Sequence, residues 1–504
     1  MAAGGRRELL AAAGSGLVLG AAFLPLPLGC LAWGAFVPLL RALDRRVESG
    51  RGSTFAVGYA GGLAFFLTGT HWLALLSDVA TTVHWIKYLA WVLAGLYLAL
   101  FWGAAAALAG GLARRSGIAP RWTFAPAMLL VEELRGSGEL GFPWFQPGYT
   151  QHAYLPVLRL AALGSVTLVT LWLLLVNGGL AHAWARRGRG AALAAAALFA
   201  LPWLVPAAPP APPAPGRLAA LVQGDIPGAI KWSGGHQREI LDRFVAMSDS
   251  AARQAGGPLG LIVWPETATG SYLRRQLDQS LAVAELAART RTPVCTGYAD
   301  YTYAPDGHAL PWNAAGVWYP DGRLSPRYAK RHLVPFGERM PFEWLVPQLG
   351  RVDFGQAEWR AGRGGVVFDG PPGPFSCLIC FESIFPDLAR ADVRAGSRLL
   401  VNVTNDEWFG NGAALVQHAD MAVFRAAENA VPLLRCANTG ITEVVDARGA
   451  VVARLPVFAP RTLVAAVPPA GARTPYTRFG DWPGALATAA CAALALRRRR
   501  VRRA

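Results

Sequence analysis

SCLICFESIFPDLARADVRAG, residues 376–396, changes its period partway along. Its first five residues form a short apolar run ending in Cys380, FESIFPD is turn-rich, and the pattern from Phe385 to Gly396 is helical. A strand that yields to a turn and then a helix is the repeating unit of layered α/β domains. The same alternation extends on both sides. LAALVQ, LGLIVW, TPVCTGY, AGVWY, GGVVF, SRLLVNVT, LLRCAN, TEVVDA and AVVARL read as strands between Arg217 and Pro468, and residues 238–254, 271–289 and 412–430 read as helices. The expectation is a layered α/β domain over residues 217–470.

Outside that domain the composition changes. Of 504 residues, 53% are hydrophobic and only 16% charged, against about 25% charged in a soluble globular chain. Seven apolar segments precede residue 207, at 9–24, 28–40, 54–76, 88–112, 122–134, 158–184 and 191–205, and an eighth lies at 482–496. Crossing lipid takes about 20 helical residues, so the third, fourth and sixth read as full spans. Pro25 and Pro27 divide the first two into a hairpin. The first segment follows Arg6 and Arg7 without a clean small-residue cleavage site, so it reads as an uncleaved span rather than a signal peptide.

The formal charge, 48 basic against 32 acidic residues, is +16. The arginines sit in short runs between apolar segments: Arg41, Arg45, Arg46 and Arg51; Arg114, Arg115 and Arg121; Arg186, Arg187 and Arg189; and Arg497 to Arg500 with Arg502 and Arg503. That is the pattern of cytoplasmic loops, and it excludes the basic face with interleaved aromatics that nucleic acid requires. Eight spans with both termini cytoplasmic satisfy the pattern and place the α/β domain outside the cytoplasm. The resulting division is residues 1–206, a seven-span bundle; 207–216, a proline-rich linker; 217–470, the α/β domain; and 471–504, a last span with a basic tail. Glu132 and Glu133, at the outer end of the fifth segment, read as interface markers.

Three polar residues in this domain stand where apolar strands end, the position at which α/β sheets hold their ligands. Glu266 ends LIVWPE, Lys330 lies in YAKRHLVPFGE, and Cys380 ends SCLIC. A thiol of pKa about 8.5 is only a few per cent thiolate at neutral pH, so a nucleophilic cysteine needs a base or a cation. Glu266 has the chemistry of the base, Lys330 that of an oxyanion stabiliser, and a helix N-terminus after Cys380 would favour the thiolate. Cys377 and Cys380 also spell C-x-x-C, but residues three apart on a strand point to opposite faces, and no second pair completes a zinc site. No disulfide framework, metal or cofactor is expected. Phe336, Phe342, Trp344, Trp408 and Phe409, clustered in turn-rich sequence, read either as core or as loops dipping into lipid around an entrance.

The blocks WPETA (264–268), YAKRHLVPFGE (328–338), ICFES (379–383), TNDEWFG (404–410), QGDIPGAIKW (223–232), LLRCANTGIT (433–442), TPYTRFGDWP (474–483) and GFPWFQPGYTQ (141–151) together resemble bacterial apolipoprotein N-acyltransferase, a membrane member of the nitrilase superfamily. The resemblance runs over essentially the whole chain. It implies an α-β-β-α sandwich beside the helical bundle, with Glu266 as general base, Lys330 as transition-state stabiliser and Cys380 as nucleophile. Trp232, Glu338, Phe381 and Glu382 take supporting or substrate-binding places. Phe381 stands where the family usually has tyrosine, Glu407 where a small residue is common, and GAALVQH (412–418) departs from the usual GPxQH.

The implied reaction is a ping-pong acyl transfer at the bacterial inner membrane. The acyl chain passes from a phospholipid through a Cys380 thioester to the α-amine of a diacylglyceryl-cysteine at a lipoprotein N-terminus. The implied partners are the bilayer, the phospholipid donor and the lipoprotein acceptor; a monomer is the default expectation. Two other readings compete: a membrane-anchored amidase acting on a small amide, which leaves eight spans without a purpose, and a transporter or scaffold, against which the absence of mid-span charges and internal repeats argues.

Overall fold

Strands and helices in residues 217–470 assemble two six-stranded sheets. The structure is a computed structural model, and it describes residues 2–77, 83–204, 217–257, 259–351 and 357–497. The chain divides into two compact units, one of residues Met1–Leu75, Trp85–Ala208 and Phe479–Ala504, the other of Leu76–His84 and Pro209–Arg478. The proline-rich stretch 207–216 and the end of the basic tail lie outside the described residues.

In the second unit the first sheet holds β1 (Leu218–Gln223), β2 (Leu261–Val263), β3 (Val294–Tyr303), β4 (Ala309–Trp318) and β5 (Tyr328–Ala329). The second sheet holds β6 (Val367–Phe368), β7 (Phe375–Ile379), β8 (Leu399–Thr404), β9 (Leu433–Ala437), β10 (Glu443–Val445) and β11 (Val451–Arg454), and β12 (Arg461–Ala466) returns to the first. Their orders are β12-β1-β2-β3-β4-β5 and β11-β10-β9-β8-β7-β6. Each sheet has three central parallel strands, β1, β2 and β3 or β7, β8 and β9, flanked by antiparallel ones.

Alternation along each strand decides what faces what. Leu221, Val263, Cys295 and Val317 from the first sheet meet Cys377, Ile379, Val401, Val403 and Cys436 from the second in one buried core. Their neighbours in register, Val222, Ile262, Val294 and Ala314, point the other way and pack on Ile240, Leu241, Phe244, Val283 and Leu286, which belong to the helices Gln237–Ala255 and Leu277–Thr290. Helices Pro386–Arg394 and Ala413–Asn429 belong to the second half. Burying each such aliphatic or aromatic side chain contributes about 1.5–3 kcal/mol, so a layer covered on both faces is strongly held. The two-sheet sandwich that the resemblance implies is thus present.

This unit runs on past residue 470 to Arg478. Thr474 Oγ1 donates to the Glu428 carbonyl at 2.6 Å, and Arg390 donates to the carbonyls of Tyr476 (3.0 Å) and Arg478 (3.3 Å). These polar ties fasten residues 474–478 to the sandwich.

The first unit is helical: Ala2–Ala21, Val37–Ser49, Thr54–Gly69, Ile86–Ser116, Pro120–Arg135, Leu160–Arg186, Arg189–Leu204 and Trp482–Leu496 are its longer helices. Two of them, Ile86–Ser116 and Leu160–Arg186, are long and apolar enough to cross a membrane by length and composition. The stretch 54–76, expected as one full span, instead stops its helix at Gly69 and turns into a 3-10 segment, His71–Leu75. Sixteen residues reach about 24 Å, short of a hydrocarbon core of about 30 Å. The 28–40 stretch is likewise broken, into a 3-10 turn Gly29–Trp33 and a helix that begins only at Val37. Glu132 is no exposed interface marker. It is 2% exposed and pairs with Arg135, which also donates to the Trp144 carbonyl at 2.7 Å.

Candidate active site

Glu266, Lys330 and Cys380 each follow the last residues of a strand, β2, β5 and β7. The turn bearing Glu266 lies directly against Gly297 of β3. A Cβ at that position would stand 2.7 Å from Glu266 Cα and 2.8 Å from the Pro265 carbonyl, so only glycine lets the two backbones come this close. The contact is secured by Gly297 N–H to the Pro265 carbonyl (3.1 Å) and Ala268 N–H to the Gly297 carbonyl (3.0 Å).

The Glu266 carboxylate is nearly buried and fully engaged. Oε1 accepts from Asn313 Nδ2 at 2.7 Å and from Lys330 Nζ at 3.4 Å, and Oε2 accepts from the Asn405 N–H at 2.9 Å. Lys330, 1% exposed, donates also to Glu338 Oε1 at 2.8 Å. Asn313 Nδ2 reaches that same oxygen at 3.2 Å, and the Val334 N–H holds Glu338 Oε2 at 2.9 Å. One lysine thus lies between two carboxylates that a single amide keeps in place.

Cys380 adopts φ +51°, a left-handed backbone that side chains other than glycine rarely take. Such a conformation costs on the order of 1–3 kcal/mol and persists only where its surroundings fix it. They do so here. The Cys380 carbonyl accepts from Ser383 Oγ (3.1 Å) and Asn402 Nδ2 (3.4 Å) and lies 3.1 Å from His418 Nε2. Behind it, His418 Nδ1 lies 3.0 Å from Asp406 Oδ1, Arg435 Nη2 donates to Asp406 Oδ2 at 2.7 Å, and Thr404 Oγ1 donates to Asp406 Oδ1 at 2.9 Å. Glu382 fixes the turn from the other side. Its Oε2 accepts from the Ile379 N–H and the Tyr328 hydroxyl, both at 2.7 Å, and its Oε1 accepts from the Arg331 N–H at 2.6 Å.

The charges decide the state of the thiol. Burial pushes Cys380 up, the Glu266 carboxylate adds to this, and Lys330 only partly opposes it. The expectation of a helix N-terminus stabilising a thiolate fails, because Cys380 opens a five-residue 3-10 turn, Cys380–Ile384, and the following helix starts at Pro386. Cys380 therefore rests as a neutral thiol whose proton must leave as it attacks. Lys330 is the reverse case: burial would lower it, but Glu338 and Glu266 hold it firmly charged. Asp406 is held well below the usual carboxylate range; burial would raise it, and Arg435 and His418 overcome that.

The structure brings Glu266, Lys330 and Glu338 within hydrogen-bonding distance and couples Cys380 to the first two by charge. Glu382 supports the turn rather than the carboxylates. Trp232 and Phe381 have other company: Trp232 is half-exposed with its ring 5.9 Å from Lys231 Nζ, and Phe381 packs edge-on against Phe385 at 5.2 Å. Glu407 accepts from the Gly228 N–H at 2.8 Å. Cys377 faces Cys295 across the inter-sheet core, Sγ to Sγ 3.5 Å, which removes it from any pair with Cys380. Trp408 is exposed, whereas Phe409 packs on Leu415, Ala419 and Ile441. No role for Asn313, Asp406, His418 or Arg435 follows from the sequence, although the last three lie in the quoted blocks TNDEWFG, GAALVQH and LLRCANTGIT. A polar residue in an otherwise apolar strand, as in PWNAAGVW or LLRCA, was the available signal.

Comparisons with known proteins converge on the same two parts. A family model described as apolipoprotein N-acyltransferase N-terminal domain matches residues 15–179, and one described as carbon-nitrogen hydrolase matches residues 218–475. The chain is similar to the apolipoprotein N-acyltransferase of Geobacter metallireducens, 35% identical over 98% of this chain and 96% of the relative. Those of Caulobacter vibrioides (33% identical, 88% and 86%) and Ralstonia nicotianae (36%, 88% and 85%) are similar as well.

Proposed function

Because this chain belongs to the apolipoprotein N-acyltransferase family, we propose that the cluster around Cys380 moves an acyl chain from a membrane phospholipid to the α-amine of a lipoprotein's N-terminal diacylglyceryl-cysteine. The chain N-acylates lipoproteins; the roles of its residues follow from the site. Cys380 Sγ attacks the ester carbonyl of the phospholipid while Glu266 takes the thiol proton. Lys330 has three N–H protons. Two serve Glu338 and Glu266, and the third is available to the oxyanion of the tetrahedral intermediate. Collapse breaks the ester C–O bond, the departing lysophospholipid oxygen regains the proton, and a thioester remains. The lipoprotein amine then attacks the thioester, gives its proton to Glu266, and Cys380 leaves as the restored thiol, a ping-pong sequence.

The left-handed Cys380 at the end of β7, with Lys330 bridging Glu266 and Glu338, is the observation that carries this reading, since a thiol that its surroundings hold protonated is useful as a nucleophile only with a base and a cation in reach. A membrane-embedded helical unit, cytoplasmic termini and an extracytoplasmic catalytic unit complete it, supported by the arginine runs of the short loops and by the two long apolar helices. The match of residues 15–179 to the N-terminal family model disfavours a small-amide hydrolase. In an assay with labelled phospholipid and a diacylglyceryl lipopeptide, Cys380→Ser, Glu266→Gln and Lys330→Met are each expected to abolish N-acylation. Retained transfer by Cys380→Ser would refute the reading.

A further inference from the structure

Resting on the roles given above to Cys380 and Glu266, we propose that Lys231 is a positioning residue for the base: its buried ammonium holds the turn that presents Glu266 and places a second positive charge beside it. Lys231 ends the four-residue helix Gly228–Lys231 and is completely buried. Its Nζ donates to Thr267 Oγ1 at 3.2 Å and approaches the Glu266 carbonyl at 3.5 Å. Thr267 has φ +43°, a strained conformation for a β-branched residue, which needs an external anchor.

The turn also wraps over the lysine's own backbone. A Cβ on Gly270 would lie 2.2 Å from the Lys231 carbonyl, and Gln237 Nε2 closes the wrap by donating to the Gly270 carbonyl at 3.2 Å. From the opposite side, the Gly228 N–H binds Glu407, whose loop supplies the Asn405 N–H to Glu266 Oε2. The segment 228–231 therefore joins the two loops that grip Glu266.

A packing role alone does not explain an ammonium here. Removing a charge from water costs several kcal/mol, and a methionine would fill the same space without that cost. The charges give the reason. Glu266 faces Lys330 after β5, Glu338 from the following loop, Cys380 after β7 and Lys231 after β1, with Glu407 acting on Lys231 from the loop after β8. Lys330 lies between Glu266 and Glu338, and Lys231 answers Glu266 and Glu407. Burial draws Lys231 down to about 8, against Glu266 and Glu407, so it carries its charge near neutrality.

The test uses the purified full-length enzyme in detergent and a phospholipid with a labelled acyl chain, following single-turnover thioester formation against pH, with thermal melting as a check on folding. Lys231→Met is expected to slow thioester formation about tenfold or more and to move the acidic limb of its pH profile up by on the order of one pH unit. Lys231→Arg is expected to keep the wild-type limb at a reduced rate, and Thr267→Val to lose rate without moving the limb. A folded Lys231→Met whose limb coincides with wild type overturns the proposal. If that variant does not fold, wild-type rates in both Lys231→Arg and Thr267→Val overturn it. Absence of a thioester in the wild type would instead refute the roles given to Cys380 and Glu266.

Discussion

Changing Asp406 to asparagine keeps the shape of a fully buried side chain and removes its charge. The carboxylate accepts from Arg435 Nη2 at 2.7 Å and Thr404 Oγ1 at 2.9 Å and lies 3.0 Å from His418 Nδ1. Arg435 is itself fully buried; Asn402 Oδ1 is a further partner, and His418 Nδ1 lies 3.1 Å from its Nη2. Losing one member of such a pair leaves an uncompensated buried charge, at a cost of about 3–5 kcal/mol. A domain of this size has about 5–15 kcal/mol in total, and each kcal/mol moves Tm by about 2–4 °C. Asp406→Asn is expected to lower the Tm of the catalytic unit by about 10 °C, read by near-UV circular dichroism on the full-length protein in detergent. Since Asp406 is depressed in the folded state, its contribution is complete above the unfolded carboxylate value of about 3.9 and is lost as pH falls through the folded one. The gap between variant and wild type is therefore constant from neutrality to about pH 5 and closes only below about pH 4. A Tm within about 2 °C of wild type at neutral pH would refute the reasoning.

Gly297→Ala is expected to displace the Glu266 turn and to slow thioester formation about a hundredfold with the fold retained; an unchanged single-turnover rate would contradict the close approach of the two backbones. Trp408→Ser is expected to raise KM for phospholipid while leaving the melting temperature intact. Phe409→Ser should instead cost about 2 kcal/mol of stability, because its ring packs on Leu415, Ala419 and Ile441; thermal melts of the two proteins separate these outcomes.

What a local pattern could carry was legible in the sequence. The change of period after SCLIC showed a strand, a turn and a helix, and β7, the 3-10 turn and the helix Pro386–Arg394 follow that order. Glu266 and Cys380 could be singled out because each stands at the end of an apolar run, and Lys330 because it is the lysine of the turn-rich block YAKRHLVPFGE. Their helpers could not. Asn313 meets Glu266 across 47 positions of sequence, and His418 receives its meaning only from Asp406 and the Cys380 carbonyl. Lys231 looked like an ordinary neighbour of Trp232 until folding buried it. Hydropathy also overstated residues 54–76, because an apolar stretch contains no signal for a helix that ends at Gly69, where Thr70 turns both its N–H (2.8 Å) and its hydroxyl (2.6 Å) to the Phe66 carbonyl.

The central claim is that Cys380 carries the acyl chain. Mass spectrometry of peptides from wild-type enzyme, quenched in acid after incubation with phospholipid alone, is expected to find one acyl chain on Cys380, labile to hydroxylamine and lost when the lipopeptide acceptor is added before quenching. Acyl transfer to the acceptor with no adduct on Cys380 at any time of quenching, or an adduct that the acceptor does not discharge, would contradict the account.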